Sequence, residues 1–180
     1  MKGHERLRLF VALLLPEDAI TRLSAWQERE LAAAPEVRVV PPGNLHVTVA
    51  FLGGTPASEL DGIAAAVRAC AAECEPAMLE PLRYRETRSV GMIVLRDEEG
   101  RATQLAEQVF VALEGLGVYE REQRAWLPHV TVLRFRERPR LAPPLPQLGR
   151  VVSSEMAVMI SRLHPGGARY EVLESVPLGG

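Results

Sequence analysis

The tetrapeptide His46-Val47-Thr48-Val49 is repeated without change as His129-Val130-Thr131-Val132. Each copy lies in an apolar run, 45–52 and 129–135, of the kind that forms a β-strand. Successive side chains of a strand point to opposite faces, so the histidine and threonine of each copy share one face while the valines point into a core. If the two strands are neighbours, two imidazoles and two hydroxyls converge on one groove.

The composition is that of an ordinary folded domain. A chain of 180 residues can bury a substantial core, and we expect one domain over residues 1–180. The net charge of −2 gives no overall attraction to nucleic acid, so a nucleic-acid partner would have to be bound locally. The apolar run Phe10 to Leu15 is too short for a membrane span and lacks a signal-peptide pattern. We expect a cytoplasmic monomer that does not enter a membrane.

Around the two motif strands, the pattern predicts alternating strands and helices in both halves of the chain, which suggests an internal duplication. Further strands are predicted at 7–14, 37–40, 78–88, 90–96, 156–163 and 170–176, with Gly53 and Gly54 ending the first motif strand. Helices are predicted from 17 to 33, from a cap at Thr55 or Ser58 to Cys74, and along Leu105 to Leu116.

The repeated motif does not have the features of a metal site or of several common enzyme classes. A metal ion would require further ligands at short spacing, and neither copy has them. The chain also lacks a G-x-S-x-G nucleophile elbow and a G-x-x-x-x-G-K-[ST] phosphate loop. We therefore expect neither a metal nor a cofactor.

Two histidines on one groove are suited to proton transfer. An imidazole has a pKa near ~6.5, so one ring can accept a proton while the other donates one, each transfer contributing about 10²–10⁴-fold. The hydroxyls of Thr48 and Thr131 can donate hydrogen bonds to phosphate oxygens. The residues predict phosphodiester chemistry but do not tell which histidine is the acid.

Four segments of the chain together resemble one family. They are Arg6-Leu7-Arg8-Leu9-Phe10-Val11-Ala12, residues 44–53 around the first motif, Pro128 to Arg134 around the second, and Ser161 to Leu173 with its S-x-L and G-x-x-Y-x-x-L spacing. In this order they resemble the 2H phosphoesterase superfamily and, within it, the RNA 2′,3′-cyclic phosphodiesterases, also called 2′-5′ RNA ligases.

The resemblance implies an α+β, bilobal 2H phosphoesterase fold with two antiparallel-sheet lobes, outer helices and pseudo-two-fold symmetry around a central groove. It implies hydrolysis of an RNA 2′,3′-cyclic phosphate end, or of a cyclic nucleotide, to a 2′-phosphate. Carried to this chain, His129 would be the base and His46 the acid, with Thr48 and Thr131 holding the phosphate. The alternatives are 2′-5′ RNA ligation, another nucleotide-derived cyclic phosphate, and a non-catalytic RNA-binding module.

Two more residues share a position relative to the motifs. Phe51 and Arg134 each follow a motif histidine by five residues, so strict alternation would place them on the face opposite the histidines. They can enter the groove only through a bulge or at a strand end. The resemblance implies that both bind substrate, with core packing the alternative for Phe51 and a solvated edge charge for Arg134. Residues Arg136, Arg138 and Arg140 could guide an RNA backbone or belong to an ordinary loop.

Overall fold

The computed structural model describes residues 5–180 of the chain. Its strands and helices are, in order, β1 (Arg6–Leu13), α1 (Glu17–Glu30), β2 (Val37–Val39), β3 (Val47–Pro56), α2 (Leu60–Ala72), β4 (Ala77–Glu86), β5 (Val90–Arg96), α3 (Arg101–Gly115), β6 (His129–Phe135), β7 (Val151–Ser153), β8 (Glu155–His164) and β9 (Gly167–Pro177). Within this part of the chain no helix combines the length and the apolar character needed to cross a membrane.

The strands form one antiparallel arrangement in the order β7-β4-β5-β6-β3-β1-β8-β9, with β2 added to β6. The two motif strands, β3 and β6, meet at the centre through the single pair Val47–Val130. This narrow junction divides the sheet into lobe one (β3, β1, β8, β9) and lobe two (β6, β5, β4, β7 and β2). The α+β class and the two antiparallel lobes expected from the resemblance are confirmed.

A pseudo-two-fold axis passes through the central pair. On one side Thr48 is paired with Ala12 of β1, and on the other Thr131 is paired with Met92 of β5. Each motif strand therefore pairs with a corresponding strand of its own lobe, β1 for β3 and β5 for β6. Each of these partner strands is followed by a helix, α1 or α3. The axis relates the two motif histidines, because each directly precedes one member of the central pair.

The helices cover the outer, convex face of the sheet. Pro16 precedes α1, and Glu17 and Asp18 lie in its first turn, where acidic groups favour the helix dipole. The helix follows β1 of lobe one but packs on lobe two, where the amide of Gln27 donates to the carbonyl of Val132 at 2.8 Å. Helix α3 follows β5 of lobe two and contacts β3 of lobe one, and α2 lies on β8 and β9. Helix α3 also contacts β4 of lobe two, so α1 and α3 each link one lobe to the other.

The structure corrects several predicted boundaries. Strand β3 does not stop at the glycine pair but continues to Pro56, where it still pairs with Arg6. Helix α2 begins at Leu60 after a short 3₁₀ turn, and neither Thr55 nor Ser58 caps it, because the Thr55 hydroxyl donates to a backbone carbonyl inside β3. The three-residue strand β7 was not predicted, and α1 ends three residues early.

Residues 136–149 form a loop that is fastened by a buried carboxylate. Glu86, at the end of β4, accepts hydrogen bonds from the backbone N–H groups of Arg140 and Leu141 and from the Arg138 guanidinium, at 2.8–3.0 Å. Tyr84 donates a fourth hydrogen bond to the same carboxylate at 3.0 Å. Arg138 therefore anchors this loop. Of the two roles considered for it, guiding an RNA backbone or belonging to an ordinary loop, this contact fits the second.

Candidate active site

A cavity of about 640 Å³ lies between the two lobes on the concave face of the sheet. The structure brings all the predicted site residues to its wall: His46, Thr48, Phe51, His129, Thr131 and Arg134. Each lobe supplies one histidine–threonine pair, and the two pairs come together because β3 and β6 run antiparallel through the Val47–Val130 pair. The cavity is large enough for a nucleotide-sized ligand.

His46 occupies an apolar corner of this cavity. Its ring centroid is 5.0 Å from that of Phe10 and 5.3 Å from that of Tyr170, and its Nε2 forms a hydrogen bond of 2.9 Å with Thr48 Oγ1. Burial lowers the pKa of His46 from 6.5 to about 4; the backbone of Asn44 acts in the opposite direction, and the positive charges of His129 and Arg134 lower the pKa further. These surroundings therefore keep His46 neutral at neutral pH.

His129 is oriented by the backbone rather than by its threonine. Its Nδ1 donates a hydrogen bond of 2.8 Å to the carbonyl of Leu127. This bond fixes the proton on Nδ1 of the neutral ring and leaves Nε2 as the nitrogen available for proton transfer. Thr131 lies two residues on and lines the same cavity. The two imidazoles therefore differ in environment although the axis relates their positions.

Two matching β-bulges bring Phe51 and Arg134 onto the groove face. In the β1–β3 ladder, Val11 pairs with Ala50 and Ala12 pairs with Thr48, so Val49 has no partner. In the β5–β6 ladder the register likewise skips Val132. Each bulge falls on the last residue of the tetrapeptide and reverses the strand phase, so the fifth residue after each histidine returns to the groove. Both strands therefore contain the bulge that Phe51 and Arg134 need in order to enter the groove.

Each bulged strand receives a hydrogen bond from a side chain outside its own ladder. The buried amide of Gln27 in α1 donates to the carbonyls of Val40 and Val132, at 3.0 and 2.8 Å. The indole N–H of Trp126, in the segment before β6, donates to the carbonyl of Thr48 at 3.1 Å. Because a bulge interrupts the regular ladder, such donors satisfy backbone groups beside the motif residues.

The sequence did not identify several other residues of the cavity wall. The Arg8 guanidinium lies 4.9 Å from the centroid of the Phe51 ring, close enough for a cation–π contact. Phe10 follows it on the same face of β1 and packs beside His46. Strict alternation in Arg6 to Phe10 would have put Arg8 and Phe10 on one face, but nothing in the sequence shows that β1 lies between β3 and β8.

A hairpin from lobe one forms the far wall. The turn between β8 and β9 is fastened across the cavity by the Arg38 guanidinium, which donates to the carbonyl of Gly166 at 3.0 Å. The Asn44 amide donates to the carbonyl of Ala168 at 2.9 Å. Tyr170 follows in β9 and completes the apolar corner around His46. These contacts connect the hairpin to the segment that leads into the first motif.

The predicted site residues lie on or next to the two neighbouring strands β3 and β6, and they do not form a compact cluster of metal ligands. Among residues 5–180, no group of three or more histidine, cysteine, aspartate or glutamate side chains is arranged to hold a metal ion. The polar side chains that line the cavity carry imidazoles, hydroxyls, guanidinium groups and the Asn44 amide. Such a set can bind an anion and transfer protons around it.

Comparison with known proteins gives consistent results. A family described as "LigT like Phosphoesterase" matches residues 13–83. A Thermus thermophilus protein named RNA 2′,3′-cyclic phosphodiesterase is 31% identical over 183 residues, covering 97% of this chain and 91% of that protein. A Geobacillus stearothermophilus protein of the same name is 25% identical over 98% of this chain, which spans only 59% of that protein's length.

Solved structures share the same architecture. The crystal structure of the Thermus thermophilus protein TT0787 superposes with a TM-score of 0.84. Its sequence is 28% identical, and the superposition covers 97% of this chain and 99% of that chain. The similarity therefore extends over both lobes and the groove between them.

Proposed function

This chain belongs to the LigT-like phosphoesterases of the 2H superfamily, and from that membership we propose that it hydrolyses RNA 2′,3′-cyclic phosphate ends to 2′-phosphate ends. The observation that carries the proposal is the pair of histidine–threonine units on opposite sides of one cavity. Relatives that cover nearly all of the chain carry the name RNA 2′,3′-cyclic phosphodiesterase, which supports the choice of substrate.

In the proposed reaction, one imidazole removes a proton from water as the water oxygen attacks phosphorus. The bond between phosphorus and the 3′-oxygen breaks, and the second imidazole gives its proton to that oxygen. The products are a 3′-hydroxyl and a 2′-phosphate. Thr48 and Thr131 donate to the non-bridging oxygens, and the Arg134 guanidinium balances the charge that builds up on them.

The order of the two histidines has two candidate assignments. The resemblance implies that His129 is the base and His46 the acid. The surroundings of His46 favour the reverse, because its lowered pKa keeps this ring neutral and able to accept a proton at neutral pH. A bound phosphodiester adds a negative charge that favours protonation of both rings. The order therefore has to be tested on the bound substrate.

The reaction itself is tested with a short RNA that ends in a 2′,3′-cyclic phosphate, in the presence of a chelator. We expect a 2′-phosphate product, and we expect the variants His46→Ala and His129→Ala each to lose about 10²–10⁴-fold in kcat. The wild-type protein leaving the cyclic end intact, or either variant retaining full turnover, would contradict the proposal.

A substrate with sulfur in place of the 3′-oxygen tests the order. A thiolate leaves without being protonated, so only the variant that lacks the acid recovers activity on it. If His46 is the acid, His46→Ala recovers on the sulfur substrate and His129→Ala does not. If His46 is the base, the pattern is reversed. Equal behaviour of the two variants would contradict both assignments.

Ligation of RNA through a 2′-5′ bond, in which a 5′-hydroxyl takes the place of water as the nucleophile and the bond to the 3′-oxygen breaks, stays the alternative. It is separated from hydrolysis by adding an RNA acceptor with a 5′-hydroxyl end and following the joined product. A cyclic-nucleotide panel tests the other substrate alternative in the same way. The cytoplasmic location and the monomeric state stay predictions from the sequence.

A further inference from the structure

Two arginines of β4 lie in register with the second motif. The ladder pairs Arg85 with Met92, which pairs with Thr131. The next row pairs Arg83 with Val94, which in turn pairs with His129. Paired residues of neighbouring strands share a face, so both arginines lie on the concave face, two strands or about 10 Å from the motif. We call Arg83 and Arg85 the arginine face.

The arginine face carries uncompensated positive charge. Both side chains are exposed, and within residues 5–180 no carboxylate lies within the 4.0 Å of an ion pair from either guanidinium. Glu80 faces the same side of β4 but is paired with Arg150 at 3.1 Å. Some other exposed arginines, such as Arg121, are paired with carboxylates, whereas Arg22 and Arg88 have no such partner in the described part of the chain. Two like charges two residues apart on one strand face repel each other, so the face favours an anionic partner.

The arginine face has no counterpart in lobe one. There the equivalent row runs from Thr48 to Ala12 and then to Ala157, so a buried alanine occupies the position that the axis relates to Arg85. The next row towards His46 leads to Leu14 and Glu155, so the position that corresponds to Arg83 carries an exposed glutamate. On the other side of Ala12 and Ala157, Phe10 and Met159 belong to the same apolar cluster. The strand two steps from the motif is therefore basic in lobe two and has no basic residue at the matching positions in lobe one, although the two histidine–threonine units are related by symmetry.

This asymmetry gives the groove a direction. A 2′,3′-cyclic phosphate stands at the 3′ end of an RNA, so the rest of the chain can leave the reacting phosphate only towards its 5′ side. The apolar cluster around Phe10 in lobe one suits a base or ribose, while guanidinium groups suit backbone phosphates. Arg134 and Arg38, which are opposite each other in the β2–β6 ladder, continue the positive charge into the cavity.

We propose that the arginine face binds the backbone phosphates of the nucleotides preceding the cyclic end, so that the enzyme favours an RNA chain over a cyclic mononucleotide. This inference rests on the proposed function and adds to it the part of the substrate that lies outside the cavity. Phosphate contacts of this kind raise affinity without reading sequence and weaken with salt. The preference therefore depends on chain length and on ionic strength, and not on base identity.

The test compares two substrates in the double variant Arg83→Gln/Arg85→Gln. The substrates are a 2′,3′-cyclic mononucleotide and a hexanucleotide that ends in a 2′,3′-cyclic phosphate. We expect kcat/KM for the hexanucleotide to fall about tenfold at low salt, with the mononucleotide unchanged within about twofold. Each lost phosphate contact removes about 0.7 from the slope of log affinity against log salt, so the slope falls by about 1.4.

The control is Arg22→Gln/Arg29→Gln, which changes the net charge by the same amount at exposed positions of α1, on the other face of the sheet; among the described residues Arg22 has no ion pair, and Arg29 is paired with Glu30 at 2.8 Å. We expect it to leave both substrates unchanged within about twofold. A loss on the hexanucleotide that the control reproduces, an equal loss on both substrates, or no loss in the double variant would overturn the inference.

Failure of the proposed function gives a different result. If the wild-type protein hydrolyses neither substrate, that function is wrong, and the arginine face is then tested by binding alone. The probe is a labelled hexanucleotide with a 2′-phosphate end, followed by fluorescence anisotropy. Weaker binding by the arginine-face variant than by the α1 control would support the inference, and equal binding would overturn it.

Discussion

At the scale of single residues, the two motif histidines have the same sequence context but different surroundings. His46 is enclosed by the rings of Phe10 and Tyr170, whereas His129 is oriented by a backbone carbonyl. Identical tetrapeptides therefore do not give the two imidazoles identical environments. The low pKa of His46 has a measurable consequence for stability as well as for catalysis.

The stability of the protein should depend on the protonation of His46 in acid. Its pKa is about 4 when folded and near 6.5 when unfolded, so the unfolded state binds more protons between these values. The stability contributed by the neutral ring is present above about pH 6.5 and is lost as the pH falls to about 4, by about 3 kcal/mol in all. Urea unfolding at pH 7.5, 5.5 and 4.5 should show the wild type losing stability relative to His46→Asn, and parallel pH curves would contradict this.

The threonine hydroxyls can be tested without changing side-chain volume. Thr131→Val keeps the shape of the side chain and removes the donor, so we expect kcat to fall about 10²-fold, as for other lost donors to a developing oxyanion. Thr131→Ser keeps a hydroxyl and should retain most of the activity. The comparison uses single-turnover rates on the RNA substrate. A valine variant as active as the serine variant would remove Thr131 from the mechanism.

At the scale of elements, the two bulges determine which residues reach the groove. Alternation correctly placed the histidines and threonines, but it put Phe51 and Arg134 on the wrong face, because the residue skipped at the end of each tetrapeptide changes the phase. A bulge depends on the partner strand and on outside donors such as Gln27 and Trp126. No local pattern of the sequence contains that information.

A substitution at Trp126 should show whether its hydrogen bond positions Thr48 for catalysis as well as stabilising the fold. Trp126→Phe removes the donor to the Thr48 carbonyl, so we expect a loss of about 1 kcal/mol in unfolding free energy together with a lower kcat. Trp26→Phe is the control, since its indole N–H donates to the carbonyl of Pro144, outside the cavity wall. The control should lose similar stability and keep its kcat. Equal kcat values in the two variants would show that the Trp126 bond does not position Thr48.

Most elements could be predicted from the sequence because their apolar periods are long and regular. The strands around both motifs and the apolar stripe of α3 follow directly from alternation and from helical spacing. The three residues of β7 are too few to show a period, and the start of α2 lacks the side-chain cap that was expected. Arg8, Arg83 and Tyr170 were missed for another reason, since their place depends on which strands are neighbours.

At the scale of the whole molecule, the sheets of the two lobes share one residue pair. Helices and loops that contact both lobes add to the connection between them. Helix α1 covers lobe two, and its Trp26 indole donates to the loop that follows β6. The same loop is fastened to β4 by the carboxylate of Glu86, whose side chain is 2% exposed. This carboxylate lies on β4, two strands from the second motif strand, and it holds the loop in place.

The negative charge of Glu86 should contribute to the stability of the fold by holding the loop in place. Burial raises the pKa of this carboxyl, but the hydrogen bonds from Leu141, Arg138, Tyr84 and Arg140 outweigh burial and leave the pKa below its usual 4.5. Its stability contribution is therefore present above about pH 4.5 and is lost as the pH falls below that value. Glu86→Gln should cost about 2 kcal/mol at neutral pH and speed proteolysis of residues 139–149. Unchanged unfolding and proteolysis would contradict this role.

Strand β1 lies between β3 and β8, and Leu9 pairs with Ile160. During synthesis on the ribosome, β1 and the first motif strand emerge early, but one edge of β1 has no partner until residues 155–164 have been made. An open, apolar strand edge is a site for unwanted pairing with other chains, and contacts between distant parts of a chain form slowly. The first histidine of the pair is thus among the first parts of the chain to be translated, and the wall around it is among the last to be assembled.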